Sequence, residues 1–571
     1  IDVIVTPYLN IGLDLAGRFE NTEGSGGVEG LIRGIYNMAP FEAPYYDNGL
    51  LRNTSKGNIL PGMNGQNGGT EINRQVYNNK LSATLSLDRL IDGLSLTGFA
   101  AIDILHQDRK VFQKPYDIFF LNSSGEYENL RANTGNVQLF QQADQELSKT
   151  FHARINYARD FGQHKVGGFV AYEQNQVEGE YTAASRINLI SEDLPYLFTG
   201  SQANLTNDGR GWQSARVNYF GRLNYAYGDR YLLEFTLRKD GSQNFSASKR
   251  FGAFPGVSAG WRISEEGFWN SDLVSALKLR GSWGRLGNDR VNNFQYLQIY
   301  NVGPAAAMGE VPVLSVGLTP GRTPNPDITW ETSQKTNIGI DASLSNGLLN
   351  LTVDAFYEQR SDILARRNAS VPLYTGIELP DENIGKTTNK GIEIAALHRR
   401  RIFKALQYRI GGQFTYAKNE IVFIDESPFV PEYQKREGSP IDYLLVYSAN
   451  GLYQNQEQIS SSPHFPDAKP GDVRMEDVNN DGVLNADDRI LLPYGPTPRV
   501  VYGFSLGATW KGFEFNAFFQ GQAGASTIYR PWDVNQDSWY FENRWISEES
   551  TPNAASPAAW DMSSSTIQNV S

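Results

Sequence analysis

The chain has 571 residues, 40% hydrophobic and 12% aromatic, with 55 Gly, 26 Pro, no Cys, five His and a formal net charge of -12. The missing cysteine excludes disulfide scaffolds, thiol catalysis and cysteine-ligated metal centres, and 51 basic against 63 acidic residues lack the clustered positive charge that drives nucleic-acid binding. No run reaches the roughly 18 consecutive apolar residues of a membrane-spanning helix, whereas a membrane barrel stays open because only every second residue of its strands meets lipid.

Taken in chain order, the start Ile1-Asp2-Val3-Ile4-Val5 carries neither an initiator Met nor a basic leader, so any export signal is expected outside this sequence. A two-residue hydrophobic period then sets in. Ile11, Leu13, Leu15 and Phe19 alternate with Gly12, Asp14, Ala16 and Arg18; Leu81, Ala83, Leu85 and Leu87 alternate with Ser82, Thr84, Ser86 and Asp88. Val217, Tyr219, Leu223 and Tyr225 oppose Arg216, Asn218, Arg222 and Asn224, and Leu349, Leu351, Val353 and Ala355 oppose Asn350, Thr352 and Asp354. Tyr408, Ile410, Phe414 and Tyr416 oppose Arg409, Gln413 and Thr415; Tyr502, Phe504, Leu506 and Ala508 oppose Gly503, Ser505 and Gly507. Period two is the signature of strands that separate two unlike environments.

Turn signals at Asp92-Gly93, Gly228-Asp229-Arg230, Asn346-Gly347 and Lys511-Gly512 join these strands into hairpins. Long polar segments separate the hairpins, over 21–75, 113–146, 181–212, 287–332, 363–385, 421–496 and from 525 onward, with a shorter one at 241–252. Brief turns at one end and long segments at the other are the outer-membrane pattern. The sequence therefore predicts an all-β fold, a large antiparallel transmembrane β-barrel of about 16 strands, each of about 10 residues, with long extracellular loops. The polar parity supplies the expected lumen-facing residues: Asp14, Arg18, Arg154, Arg216, Arg222, Asp341, Asp354, Arg409 and Gln413. Tyr225, Tyr227 and Tyr231, gathered around one turn, are expected in an aromatic girdle. The Ser/Ala/Asn-rich stretch from Asn553 to Ser571 has no strand pattern, and the whole reads as an internal portion of something longer.

Within 421–496, the run 477–488 has the calcium-loop spacing, with Asp477, Asn479, Asp481 and Asn485 at the oxygen-ligand positions, the Val483 carbonyl between them, Gly482 at the sharp turn and Asp488 at position 12. Two readings stand: a structural Ca²⁺ site, and an Asx-rich turn closed by its own hydrogen bonds. Position 12 is Asp where the motif has Glu, and flanking amphipathic helices are not evident, so a helix-loop-helix hand is not expected. Tyr45, Tyr46, Trp532, Trp539 and Tyr540 are candidate ligand-binding rings, although packing of the loops or of a capping protein would use the same residues. No Ser/His/carboxylate constellation or P-loop is present, and an enzyme is not expected.

Several local sequences resemble the SusC/RagA family of TonB-dependent outer-membrane transporters. They are Phe254-Pro255-Gly256-Val257-Ser258-Ala259-Gly260-Trp261-Arg262-Ile263-Ser264-Glu265-Glu266, Leu277-Lys278-Leu279-Arg280-Gly281-Ser282-Trp283-Gly284-Arg285-Leu286-Gly287-Asn288, Asn325-Pro326-Asp327-Ile328-Thr329-Trp330-Glu331, Asn389-Lys390-Gly391-Ile392-Glu393-Ile394 and Pro470-Gly471-Asp472-Val473. The resemblance implies a barrel of about 22 strands with a plugged lumen, of which residues 1–571 supply a part without plug or TonB-contacting box. It further implies a Bacteroidetes-type outer-membrane importer of glycans or oligopeptides, working with a SusD-like surface lipoprotein and, through a plug region not in this chain, with the TonB complex. A surface scaffold for protein partners and a passive porin are the competing readings.

Overall fold

A computed structural model describes residues 1–24, 32, 34–35, 42–54, 58–132, 136–308, 313–367, 379–403, 406–528 and 538–558. Sixteen strands form one sheet. In chain order they are β1 Asp2–Thr6, β2 Leu9–Gly24, β3 Gly68–Ser86, β4 Leu94–Gln113, β5 Gln138–Phe161, β6 His164–Ile187, β7 Thr206–Tyr227 and β8 Tyr231–Ser242. They continue with β9 Phe251–Arg262, β10 Val274–Asn288, β11 Glu331–Leu344, β12 Leu349–Arg366, β13 Asp381–Ile402, β14 Leu406–Phe423, β15 Val500–Trp510 and β16 Phe513–Ala523. Each pairs antiparallel with the next, so the sheet is an unbroken meander. No described helix is long and apolar enough to cross a membrane, which says nothing of a barrel.

The connections alternate as the turn chemistry requires. At one end lie 7–8, 87–93, 162–163, 228–230, 263–273, 345–348, 403–405 and 511–512; at the other lie 25–67, 114–137, 188–205, 243–250, 289–330, 367–380 and 424–499. Trp510 faces Phe513, leaving a two-residue turn in which Lys511 and Gly512 have φ of +48° and +90°, the primed geometry that matches strand twist. At Gly93, φ +83°, a Cβ would sit 1.9 Å from the Ala158 carbonyl oxygen, so the turn against β5 admits only glycine. The longer 263–273 connection is pinned by Glu266, whose carboxylate accepts from Tyr231 Oη, from Trp261 Nε1 at 2.9 Å and from Arg230 Nη1 at 3.2 Å.

Two expectations need correction. Strands are longer than about 10 residues: β5 and β6 have 24 each, and β4 has 20. Their outer parts, such as Gln141-Gln142-Ala143-Asp144-Gln145-Glu146, are polar on both parities, as suits a hairpin that keeps its backbone paired beyond the apolar zone. The long segments also hold structure of their own. Tyr116–Leu121 pairs with Tyr127–Ala132, Tyr300–Met308 with Val313–Pro320, and short strands tie 445–452 to 473–491.

Candidate functional site

Register assigns every strand residue to one of two faces, because directly opposed residues in an antiparallel pair point the same way. One face carries Leu223, Phe235, Val257 and Trp283 in a row across β7 to β10, and Leu279, Ile340, Val353, Ile394, Phe414 and Tyr502 across β10 to β15. Many of these side chains are exposed; Val170 and Ile338, on the same face, are 69% and 60% accessible.

The other face is polar. Asp14 opposes Lys80, and the line continues through Ala101, Thr150 and Asn175 to Arg216. Arg18, Arg154 and Arg222 lie at even steps along β2, β5 and β7 on this face. Asp354 opposes Glu393, which opposes Thr415, the parity of Gln413 and Arg409 on β14; Asp341 opposes Thr352, two residues from Asp354. All nine residues expected in a lumen thus share one face. They are held by neighbours: Arg216 grips Asp289 with two 3.0 Å bonds, Arg154 lies over the Phe169 ring at 5.3 Å, and Arg409 donates to Asn516 Oδ1 at 2.7 Å.

The same parity also carries polar groups not singled out in the sequence. Arg280 bonds Asp341 at 3.0 Å and both oxygens of Asp354 at 2.6 Å. His152 stacks on Phe99 and meets Glu173 at 3.3 Å. Glu358 receives Arg360 at 2.9 Å and lies 3.5 Å from Lys335. Extending the period-two parity to β5, β10 and β12 would have found them. Near the short turns a cavity of about 950 Å³ opens on this face, with Lys165, Glu234, Lys278, Arg280 and Asn337 in its wall.

The 477–488 loop follows its motif closely. Asp477 accepts from the backbone N–H groups of Asp481 and Gly482 at 3.2 and 2.9 Å, Asn479 from that of Asp481 at 3.0 Å, and Asp481 from that of Val483 at 2.8 Å. Asn485 accepts from Asp487 at 2.7 Å, and the fully buried Asp488 from Val478 and Asn485 at 3.0 and 2.7 Å. Backbone amides therefore orient every expected side-chain ligand, and Gly482, φ +82°, makes the turn. Short strands, Val473–Met475 and Arg489–Leu491, flank it. Among the described residues no three His, Cys, Asp or Glu side chains group at metal-binding spacing, so a cation here would depend also on Asn479, Asn485 and the Val483 carbonyl. Gln434 Nε2 locks the loop's exit through the carbonyls of Ala486, Asp487 and Arg489. Burial and the nearby Asp488, Asp487, Asp481 and Asp477 raise the pKa of the Tyr433 phenol, which donates to the Asp487 carbonyl at 2.6 Å.

The aromatic candidates divide. Tyr46 packs edge-to-face on Tyr127 at 4.9 Å under the Arg52 guanidinium, a loop-to-loop contact, whereas Tyr45 and Trp539 are exposed. Tyr540 lies in the short helix Ser538–Glu542; Trp532 falls outside the described residues. Trp545 is buried and donates to Gln454 Oε1 at 3.1 Å. Around the turn with Tyr225, Tyr227 stacks on Tyr231 at 6.3 Å, and His164 bonds the Tyr225 hydroxyl at 2.8 Å.

Residues 18–540 match the family model described as TonB dependent receptor-like, beta-barrel. The chain belongs to this family. TonB-dependent receptor P26 of Formosa agariphila is 31% identical over 331 residues, 56% of this chain and 33% of that protein. Receptor P3 of the same organism is 26% identical over 92% of this chain and 53% of that protein, and TonB-dependent receptor SusC of Bacteroides thetaiotaomicron is 28% identical over 52% and 30%. The chain thus spans between 30% and 53% of the length of these relatives. Among solved structures, the RagAB peptide importer in its closed-closed and open-open states superposes with TM-scores of 0.72 and 0.73 at 21% identity, covering 92% and 91% of this chain and 57% and 56% of that chain. At that identity the likeness establishes the fold, a TonB-dependent receptor barrel.

Two of the segments that carry the SusC/RagA resemblance build one small core of this receptor barrel. Phe254 and Phe245 pack on Trp330, each with ring centroids at 5.3 Å, and Ile328 is fully buried beside them. Trp330 Nε1 donates to the Arg250 carbonyl at 3.1 Å, and Asn383 brackets Thr329 by accepting from its N–H and donating to its carbonyl. This core fastens the 289–330 connection onto β9 and β13 at the ends that carry the long connections.

Proposed function

We propose that the chain is wall and outer surface of a TonB-dependent importer in a bacterial outer membrane. The observation that carries the reading is the two-faced register: one face is mostly polar from β2 to β7 and from β11 to β14, the other exposes large apolar side chains. In water each such side chain forgoes about 1.5–3 kcal/mol of burial, and contiguous patches of this size are disfavoured on soluble monomers; lipid removes that cost. The polar face then lines a lumen, the short turns lie on the periplasmic side and the long connections outside. By family resemblance the importer takes up glycans or oligopeptides, with a SusD-like lipoprotein as lid and TonB acting through a plug. Support for a peptide cargo is the likeness to the RagAB peptide importer; a glycan cargo rests on the family resemblance.

The 477–488 loop is proposed as a structural Ca²⁺ site on the outer surface, held by Asp477, Asn479, Asp481, Asn485, Asp488 and the Val483 carbonyl. The importer reading is tested by uptake in whole cells carrying the full-length protein. Uptake that stops when TonB is deleted supports it; uptake indifferent to TonB favours a porin, and host- or matrix-binding without uptake favours a surface scaffold.

A further inference from the structure

Between Glu393 and Glu420 the sequence contains no acidic residue, yet it places Arg399, Arg400, Arg401, Lys404 and Arg409 around the turn that joins β13 to β14, in a chain whose net charge is -12. Register divides these cations between the two faces. Arg399 opposes Arg409 and Arg401 opposes Gln407, on the polar parity, whereas Arg400 opposes Tyr408, which opposes Ala508, which opposes Phe515. Arg400 therefore stands on the apolar face. The row nearer the turn, Ile402, Leu406, Trp510 and Phe513, is apolar throughout, so this charge lies one step inside the last apolar row.

Aromatic side chains frame the position. His398 stacks on Tyr408 at 5.4 Å, Trp510 stacks on Phe513 at 6.5 Å, and Lys511, in the neighbouring turn, holds Nζ 5.3 Å from the centre of the Trp510 ring. Rings gathered at strand ends mark the level of the lipid headgroups. A cation on a lipid-facing wall is costly unless an anion reaches it. Elsewhere on the short-turn side carboxylates do so: Asp92 meets Arg159 at 2.9 Å, Asp229 meets Lys165 at 2.9 Å and Glu266 meets Arg230 at 3.2 Å. Arg400 and Lys511 are exposed, and among the described residues neither makes an ion pair. The anion is left to the surroundings, which on this face are lipid.

We propose that Arg400 and Lys511 bind the phosphate of an anionic phospholipid in the leaflet on the short-turn side. The guanidinium fork takes two phosphate oxygens, Lys511 adds a second cation, and the acyl chains lie along the apolar wall. A protein partner would engage the turn itself; a cation set inside the apolar belt is matched to a headgroup whose chains cover the same wall. The inference rests on the reading of this face as lipid-facing.

The test uses the full-length protein in phosphatidylcholine vesicles, with bimane on a single cysteine at Ala508. The control position is Ala259, which shares a row with Tyr225 and Leu233 on the same face, at the same distance from its turn, beside the paired Arg230. A small fraction of the lipid is replaced by dibrominated phosphatidylglycerol or dibrominated phosphatidylcholine. Phosphatidylglycerol should associate at Ala508 about tenfold more strongly than phosphatidylcholine, the scale of two basic residues beside an anionic headgroup, and nearly equally at Ala259. Arg400→Gln and Lys511→Gln should each lower the preference at Ala508 several-fold and together remove it, with heat-modifiable migration showing that each variant folds. Equal association of the two lipids at Ala508, a preference that survives both substitutions, or the same preference at Ala259 overturns the proposal. Quenching by both lipids without preference removes this site and leaves the lipid-facing wall; no quenching by either lipid at either position removes the wall and the site together.

Discussion

Arg280 on β10 reaches over β11 to hold both carboxylate oxygens of Asp354 on β12 at 2.6 Å. The residue it crosses is Gly339, which stands directly opposite both in register. A Cβ at Gly339 would lie 2.5 Å from Arg280 Cζ and 2.7 Å from Asp354 Oδ1. Three strands are therefore stitched across one missing methyl group, and Asp341 takes the remaining edge of the guanidinium at 3.0 Å.

Gly339→Ala should destabilise the barrel by about 1–3 kcal/mol, the usual range for overpacking, because the guanidinium must leave its bidentate seat. Arg280→Ala should cost about 1.5–3 kcal/mol, the worth of charged hydrogen bonds. In the Arg280→Ala background the alanine at 339 should become nearly neutral. Denaturant titration of the four variants checks this; an unchanged cost of Gly339→Ala in both backgrounds would separate the glycine from the ion pair.

Leu85 and Ser86 are adjacent in β3 but belong to opposite faces, Leu85 opposing Leu9 and Leu96, and Ser86 opposing Ser95. Both sit at the short-turn end of β3, where an Arg costs little; four residues further in, on the same two parities, Arg at Leu81 should cost about 2–4 kcal/mol, while Arg at Ser82 should be mild. Folding titrations into lipid vesicles measure both, and equal tolerance would contradict the facing.

Glu266 gives the 263–273 connection a pH signature. Hydrogen bonds from Tyr231 and Trp261, together with Arg230, hold its carboxyl below the ordinary glutamate value. A carboxyl depressed in the folded state contributes stability above its unfolded pKa of about 4.3 and loses it as pH falls through the lower folded value. The wild type should therefore lose stability more steeply than Glu266→Gln as pH drops below about 4.3, read as denaturation midpoints at stepped pH. Parallel profiles would mean that the contact contributes nothing in solution.

The 477–488 loop should bind Ca²⁺, and Asp477→Ala with Asp481→Ala should abolish binding, because these side chains supply oxygens oriented by backbone amides. Isothermal titration decides it. No heat with Ca²⁺ at millimolar concentration would leave an Asx turn.

Much of the fold is legible in the sequence wherever the two faces meet different media. The alternation in β2, β3, β7, β12, β14 and β15 fixes their facing, and the nine polar residues read from parity all lie on one face. Alternation fades in the outer parts of β5 and β6, where Gln, Glu and Asn occupy both parities, so strand length is not readable from periodicity there. Ile328 and Trp330 can be recognised as part of a family-like segment, but their burial against Phe245 and Phe254 depends on a fold-back from the far side of a long connection.

The most direct test concerns what touches the apolar face. The chain has no cysteine, so bimane can be placed on single cysteines at Leu223, Phe235 and Trp283, which adjoin across three strand pairs, and at Arg222, Thr236 and Ser282 on the opposite parity. With the full-length protein in bilayers of brominated lipid, the first three labels should be strongly quenched and the second three spared. Equal quenching on both parities, or the reverse pattern, would contradict a lipid-facing barrel wall.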